Sequence, residues 1–218
     1  MTTEPFSAYF VEVMETEKDS FFANPFIRAM EAGEVYPDAL LTYVQQDHRY
    51  LDRYLPLYER AYTALTKQPI GDLFGEDPEE YEAHNVLLDL AQTDDQSIQE
   101  GDYSNLPVTE AYLQHMEAAI DANPFVGLAS LAACPFDYGY LAELMIQENL
   151  VTANNPFVGW VDYYRGVDWG LTKVTLDILD QEAQKVSPAI QEAALQAFLK
   201  STKFENAFFA QAMEVVHD

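Results

Sequence analysis

Five prolines in this chain each follow a residue that can cap a helix: Asn24-Pro25, Asp77-Pro78, Asn123-Pro124, Asn155-Pro156 and Ser187-Pro188. A side-chain oxygen at the cap satisfies a free backbone N–H, and a proline in the next position loses nothing because its missing N–H would be unpaired anyway. Apolar residues then recur at steps of three and four, and the period-two alternation of strands is essentially missing. The pattern predicts helices over 4–18, 25–33, 38–66, 78–96, 107–121, 124–148, 156–166, 168–185, 188–199 and 202–216. The polar, Gly101-containing stretch from Thr93 to Pro107 reads as a surface loop. Asn-Pro-Phe occurs three times, twice as NPFVG. It can be read as a peptide-interaction motif, but the apolar run after each copy favours helix starts.

The expected fold class is therefore all-α, a helical bundle forming one domain over 1–218. With 49% hydrophobic residues the chain can fill a sizeable core. The N-terminal MTTEPFSAYF lacks the basic and apolar regions of a signal peptide, and no apolar run approaches the roughly eighteen residues of a membrane helix. Cys134 is the one cysteine, so no internal disulfide forms, and a cytoplasmic location is expected. Thirty-seven acidic residues against eleven basic ones give a net charge of −26. Such a field repels phosphate backbones and anionic lipid, so nucleic-acid and membrane partners are not expected. A neutral or cationic small molecule suits it better.

Two carboxylates stand where the helical pattern calls for apolar residues. Between Val44 and Leu51, on the stripe of the long helix 38–66, the inward position is Asp47, with Tyr43 and Tyr50 one turn to either side. An inward aspartate needs a partner. It can belong to a site, pair structurally with a neighbouring helix, or turn to solvent at a kink. Glu205 lies among Phe204, Phe208, Phe209 and Ala212. Desolvation there raises its pKa and suits it to acid–base work, the alternative being a salt bridge to one of few basic residues. Cys134, in LASLAACPFDYGY, reads alone as a core residue; as a nucleophile it needs a partner. Fourteen tyrosines, Tyr112, Tyr138, Tyr140, Tyr163 and Tyr164 among them, suit the walls of a pocket for a flat heterocycle.

Absences narrow the chemistry further. No histidine inside the chain follows a glutamate by three, the spacing that di-iron bundles use, so no metal is expected. Gly-rich phosphate loops, Gly-x-Ser-x-Gly elbows and Cys-x-x-Cys knuckles are missing too. No cofactor is expected.

Taken in order, PFIRAMEAGEVYPDALLTYVQQDHRYLDRYL, TEAYLQHM, CPFDY, WVDYY and STKFENAFF resemble the blocks of the TenA (thiaminase II) family over roughly residues 20–215. The resemblance implies a haem-oxygenase-like helical fold without haem, usually a homotetramer. It also implies hydrolysis of the C–N bond at the pyrimidine methylene of thiamin or of its aminomethyl-aminopyrimidine breakdown product, for salvage of the hydroxymethylpyrimidine. Carried over, Cys134 is the nucleophile and Glu205 the proton shuttle. Asp47 grips the ring's amino group and adjacent nitrogen, and Tyr50 forms an aromatic wall. Tyr112 and Tyr164 supply supporting hydroxyls, and Tyr138 stands one turn after the nucleophile. Departures from the family pattern are Asn24, Phe209, Phe136 and Tyr140; the last two are expected to border the pocket and bear on substrate choice. Rival readings are an oxidase on the same scaffold, a non-catalytic pyrimidine binder, and an acidic helical interaction module.

Overall fold

The computed structural model describes residues 4–78, 80–94, 98, 104–166 and 169–214, and among them there is no strand. The helices are α1 (Ala8–Phe22), α2 (Pro25–Ala32), α3 (Pro37–Thr66), α4 (Tyr81–Ala91), α5 (Pro107–Ala122), α6 (Pro124–Leu131), α7 (Ala133–Gln147), α8 (Val158–Gly166), α9 (Trp169–Ala183) and α10 (Pro188–Glu214). The expected all-α class holds. Most of the expected loop between Thr93 and Pro107 lies outside the described residues.

The capping grammar works atom by atom. Asn24 Oδ1 accepts from Phe26 N–H, Asn123 Oδ1 from Phe125 N–H and Asn155 Oδ1 from Phe157 N–H, all at 2.8–2.9 Å. Ser187 Oγ takes the N–H of Ile190 at 3.4 Å. Asp77 reaches further, accepting from both Tyr81 and Glu82 N–H at 3.0 Å. Helix α4 consequently starts at Tyr81, three residues beyond the proline-based expectation.

Two boundaries differ from the pattern. The segment 188–199 and the segment 202–216 are one helix through Glu214, because Ser201 and Thr202 are buried in its packed face rather than capping a new start. The 124–148 helix is interrupted at Ala132, although that residue keeps helical angles (φ −63°, ψ −20°). Pro135 explains the interruption: it has no N–H for the carbonyl of Leu131. That oxygen instead accepts the Tyr54 hydroxyl at 3.0 Å. The same stretch corrects the expectation about apolar runs. Pro124–Gln147 is long and apolar enough by composition to cross a membrane; its most apolar eighteen-residue window has mean hydropathy 1.2, yet 94% of that window is buried inside the protein. Its alanines and glycines let neighbouring helices approach closely, so it serves as the central core segment.

Helix α10 packs against α6, α5, α7, α1, α3 and α2, and α3 packs against α4, α6, α5 and α10. Their shared interior is rich in rings. Phe10 stacks on Phe198 with centroids 3.9 Å apart, and Tyr43 stacks on Phe209 at 5.5 Å. Each such ring contributes about 1.5–3 kcal/mol by leaving water. The polar residues of interest project into this interior from α3, α4, α5, α7, α8 and α10.

Candidate active site

Asp47 does face inward, 5% exposed. Its partner comes from neither flanking tyrosine. His84, fully buried on α4, places Nε2 2.7 Å from Asp47 Oδ2. Tyr43 instead shares a hydrogen bond with Tyr138, hydroxyl to hydroxyl at 2.6 Å, and Tyr50 points its hydroxyl at the sulfur of Met116. The third member of this group is Glu80. It caps α4 in the left-handed backbone region (φ 58°, ψ 32°), a strained conformation for a residue with a side chain. Its carboxylate accepts the Tyr164 hydroxyl. One ligand-capable atom from each of Asp47, Glu80 and His84 falls within 4.8 Å of the others, a donor set that could hold a cation. Glu80, at the N-cap, and His84, in the first turn of α4, are four residues apart, a spacing that a search for Glu-x-x-His passes over.

A second group centres on Glu205, 2% exposed. Tyr112 donates its hydroxyl to Glu205 Oε1 at 2.7 Å, and its ring stacks between Tyr50 and Phe204, each 5.3 Å away. Burial pushes the Glu205 carboxyl up to about 8; the Tyr112 hydrogen bond pulls it back, and the charge of Asp47 raises it further. At neutral pH it holds a proton, as the phenylalanine-rich face implies. Burial likewise lifts the Tyr112 hydroxyl well above its ordinary value, with Glu205 and Cys134 adding to the effect. Asp137 is a second buried acid on α7. Burial pushes it well up, the Glu205 charge adds to this, and Thr202 offsets part of it.

Cys134 sits in the first turn of α7, 9% exposed, and forms part of the wall of a cavity of about 350 Å³. Leu51, Tyr54 and Tyr163 line the same cavity, as do four carboxylates, Asp72, Glu76, Asp77 and Glu80. Asp47 and Glu205 are not in this wall. The electrostatics nevertheless tie the two groups together: Tyr43 feels the charges of Asp47, Glu80 and Glu205, and Tyr50 those of Cys134 and Glu205. Tyr138 bridges the groups by packing its ring, tilted, 4.7 Å from Tyr164 while bonding Tyr43. Tyr164 thus belongs to the Asp47–His84–Glu80 side, and Tyr50 and Tyr112 to the Glu205 side.

Phe136 and Tyr140 do not border the cavity. On α7 they point away from the face shared by Cys134 and Tyr138. Phe136 packs on Phe10 and Phe198, and Tyr140 donates to Glu15 at the surface. Asn24 bonds Asn206 across to α10, and Phe209 stacks on Tyr43. All four departures are scaffold contacts. Sequence reasoning missed His84, Glu80 and Asp137. The i, i+4 pair Glu80/His84 within the expected helix over 78–96 was the one signal for the first two, and Asp137 lies inside an apolar run where it could have been noticed.

Comparison with known proteins places this geometry. An aminopyrimidine aminohydrolase from Staphylococcus aureus (strain MRSA252) is 26% identical over 204 residues, covering 89% of this chain and 88% of that protein. The solved TenA homologue from P. horikoshii OT3 superposes with a TM-score of 0.72 at 20% identity, covering 97% and 99% of the two chains. The haem oxygenase of Leptospira interrogans shares the fold more distantly, with a TM-score of 0.60 at 14% identity over 95% of this chain and all of that one. The model of the TENA/THI-4/PQQC family matches residues 14–215, nearly the whole chain. The protein is a member of the TENA/THI-4/PQQC family with a haem-oxygenase-like fold.

Proposed function

We propose that this protein hydrolyses the C–N bond at the pyrimidine methylene of thiamin or of 4-amino-5-aminomethyl-2-methylpyrimidine, releasing the hydroxymethylpyrimidine. The observation that carries the reading is a thiol in a cavity wall and a buried acid that both act on the Tyr112 hydroxyl. Cys134 opens onto the cavity, and Glu205, bonded to Tyr112, retains a proton at neutral pH. Relatives across the chain's length bear the name aminopyrimidine aminohydrolase.

The Cys134 sulfur adds to the electron-poor ring, which takes up a proton and loses aromaticity. The ring then expels the substituent nitrogen together with the bonding pair, and Glu205 protonates that nitrogen when it leaves as an amine. Water adds to the exposed methylene, and its proton returns to the Glu205 carboxylate where an amine has left, or passes to solvent where a neutral thiazole has left. Release of the thiol restores the ring. In this scheme Asp47, oriented by His84, accepts from the ring's amino group. Tyr50 flanks the ring, and Tyr112, Tyr138 and Tyr164 hold the carboxylates and the ring in place by hydroxyl contacts. Assembly as a homotetramer belongs to the same reading.

The test is product analysis by mass spectrometry after incubation with thiamin, the aminomethylpyrimidine and its N-formyl derivative in parallel. Formation of hydroxymethylpyrimidine from at least one is expected. Its absence with all three, from folded protein, would overturn the proposal.

A further inference from the structure

We infer that the cavity leading to Cys134 selects substrates whose departing half is cationic and free of phosphate, because among the described residues four carboxylates and no basic side chain line it. This deepens the hydrolase reading and rests on it for the identity of the departing group.

The few positive charges lie elsewhere. Eleven lysines and arginines serve the whole chain, and none reaches this cavity. Arg53 and Arg60 are engaged by Glu110, Glu117 and Asp121 along the seam between α3 and α5. Lys18 and Lys173 pair with acids on their own helices, and Lys185, just past the end of α9, pairs with Glu182. An acidic surface is expected of so acidic a chain, but here the carboxylates converge on one concave space, where low-dielectric walls focus their field.

The two inner ones are held in place. Asp77 is held by two backbone N–H groups of α4, and Glu80 by the Tyr164 hydroxyl. Glu80 belongs both to the cavity wall and to the buried trio with Asp47 and His84. The negative potential therefore runs continuously from the exposed Asp72 and Glu76 inward to the proposed ring-binding aspartate. A thiazolium or an aminomethyl ammonium is attracted along that path. A phosphate ester, carrying up to two negative charges past several carboxylates within about 10 Å, is repelled.

The chemistry predicts which kinetic constant shows the effect. As the C–N bond to a thiazolium breaks, the bonding pair neutralises the departing ring, so its attraction to the wall is lost on the way to the transition state. That attraction therefore aids capture but drops out of kcat/KM, whereas a distal phosphate keeps its charge throughout, so its repulsion by the carboxylates raises KM and lowers kcat/KM with little effect on kcat.

The experiment compares thiamin with thiamin monophosphate, which share the reacting bond and differ only at the distal end. Hydrolysis is followed with the wild type and with an Asp72→Asn/Glu76→Gln double variant, at low and moderate salt. Binding of both compounds to the wild type is measured by calorimetry. Thiamin is expected to exceed its monophosphate in kcat/KM by about 100-fold at low salt. The double variant should narrow that ratio at least fivefold through KM, and added salt should narrow it too. Near-equal turnover and binding of the two compounds by the wild type, or a ratio unchanged in the double variant, would overturn the inference. Preferential binding of thiamin without cleavage would sink the hydrolase reading while leaving the charge selection standing; binding of neither would end both.

Discussion

Glu205 and Cys134 could be picked out of the sequence because each interrupts a strong local pattern. A carboxylate within a phenylalanine face, or a lone thiol in an apolar helix, contradicts its neighbours on the same element, and that contradiction is visible without a fold. His84 gave no such signal. Its importance comes from Asp47, thirty-seven positions away, and a contact of that range depends on how α3 and α4 pack. The roles lead to three outcomes at this scale. Cys134→Ser should fold normally and lose nearly all turnover, since serine occupies the same space but is a far poorer nucleophile at neutral pH; steady-state rates with circular dichroism check this. Glu205→Gln should lower kcat by ~10²–10⁴ with a much smaller change in KM. In the wild type the acid form of Glu205 prevails below about pH 8, so the rate should fall on the alkaline side of that value, and Glu205→Gln should lack this limb. His84→Gln should raise KM for the pyrimidine by about tenfold, because Asp47 loses the group that aims it, an effect of order 1.4 kcal/mol. Fluorescence-detected binding would report it.

At the scale of the element, the proline starts were legible because a cap is a local device, complete within three residues. Helix ends and interruptions were less so. The join at Ser201 and Thr202 looked like a break because hydroxyl residues often cap, and only their burial against the rest of the core keeps α10 continuous. The two NPFVG strings show the same limit from another side. Identical in sequence, they end in glycines with different surroundings. A Cβ on Gly127 would lie 2.5 Å from Ile120 Cγ1 and 2.6 Å from Ile120 Cα, so α5 and α6 would have to separate. On Gly159 the nearest atom is a methyl of Val86 at 3.3 Å. Gly127→Ala should therefore destabilise by about 1–3 kcal/mol, lowering Tm by several degrees, while Gly159→Ala should change it far less. Parallel thermal melts decide it.

For the whole molecule, the fold class followed from helical grammar alone, whereas the meeting of six helices around one polar interior did not, because it depends on pairings between distant segments. That interior has a consequence for stability. Glu205 titrates near 8 in the folded protein but near 4.5 when exposed, and Asp137 is shifted in the same direction. Between those pH values the folded state binds more protons than the unfolded one, so stability falls as pH rises from about 5 to about 8. The exposed Glu15 and the half-buried Glu110, whose carboxyls are held low by Lys18 and by Asn105 respectively, act the opposite way at lower pH. The clean measurement is the difference between wild type and Glu205→Gln: the variant's Tm should decline less over that interval.

Trp160 lies 2% exposed with its ring 4.6 Å from Tyr164 and 5.8 Å from Tyr138. The other tryptophan of the chain is Trp169. Replacing Trp169 by phenylalanine leaves a single indole emitter in contact with two tyrosines of the proposed site. Light absorbed by those tyrosines will pass to it, and any ligand that shifts Tyr138 or Tyr164 will change its emission, so the protein carries a built-in optical gauge of its own occupancy.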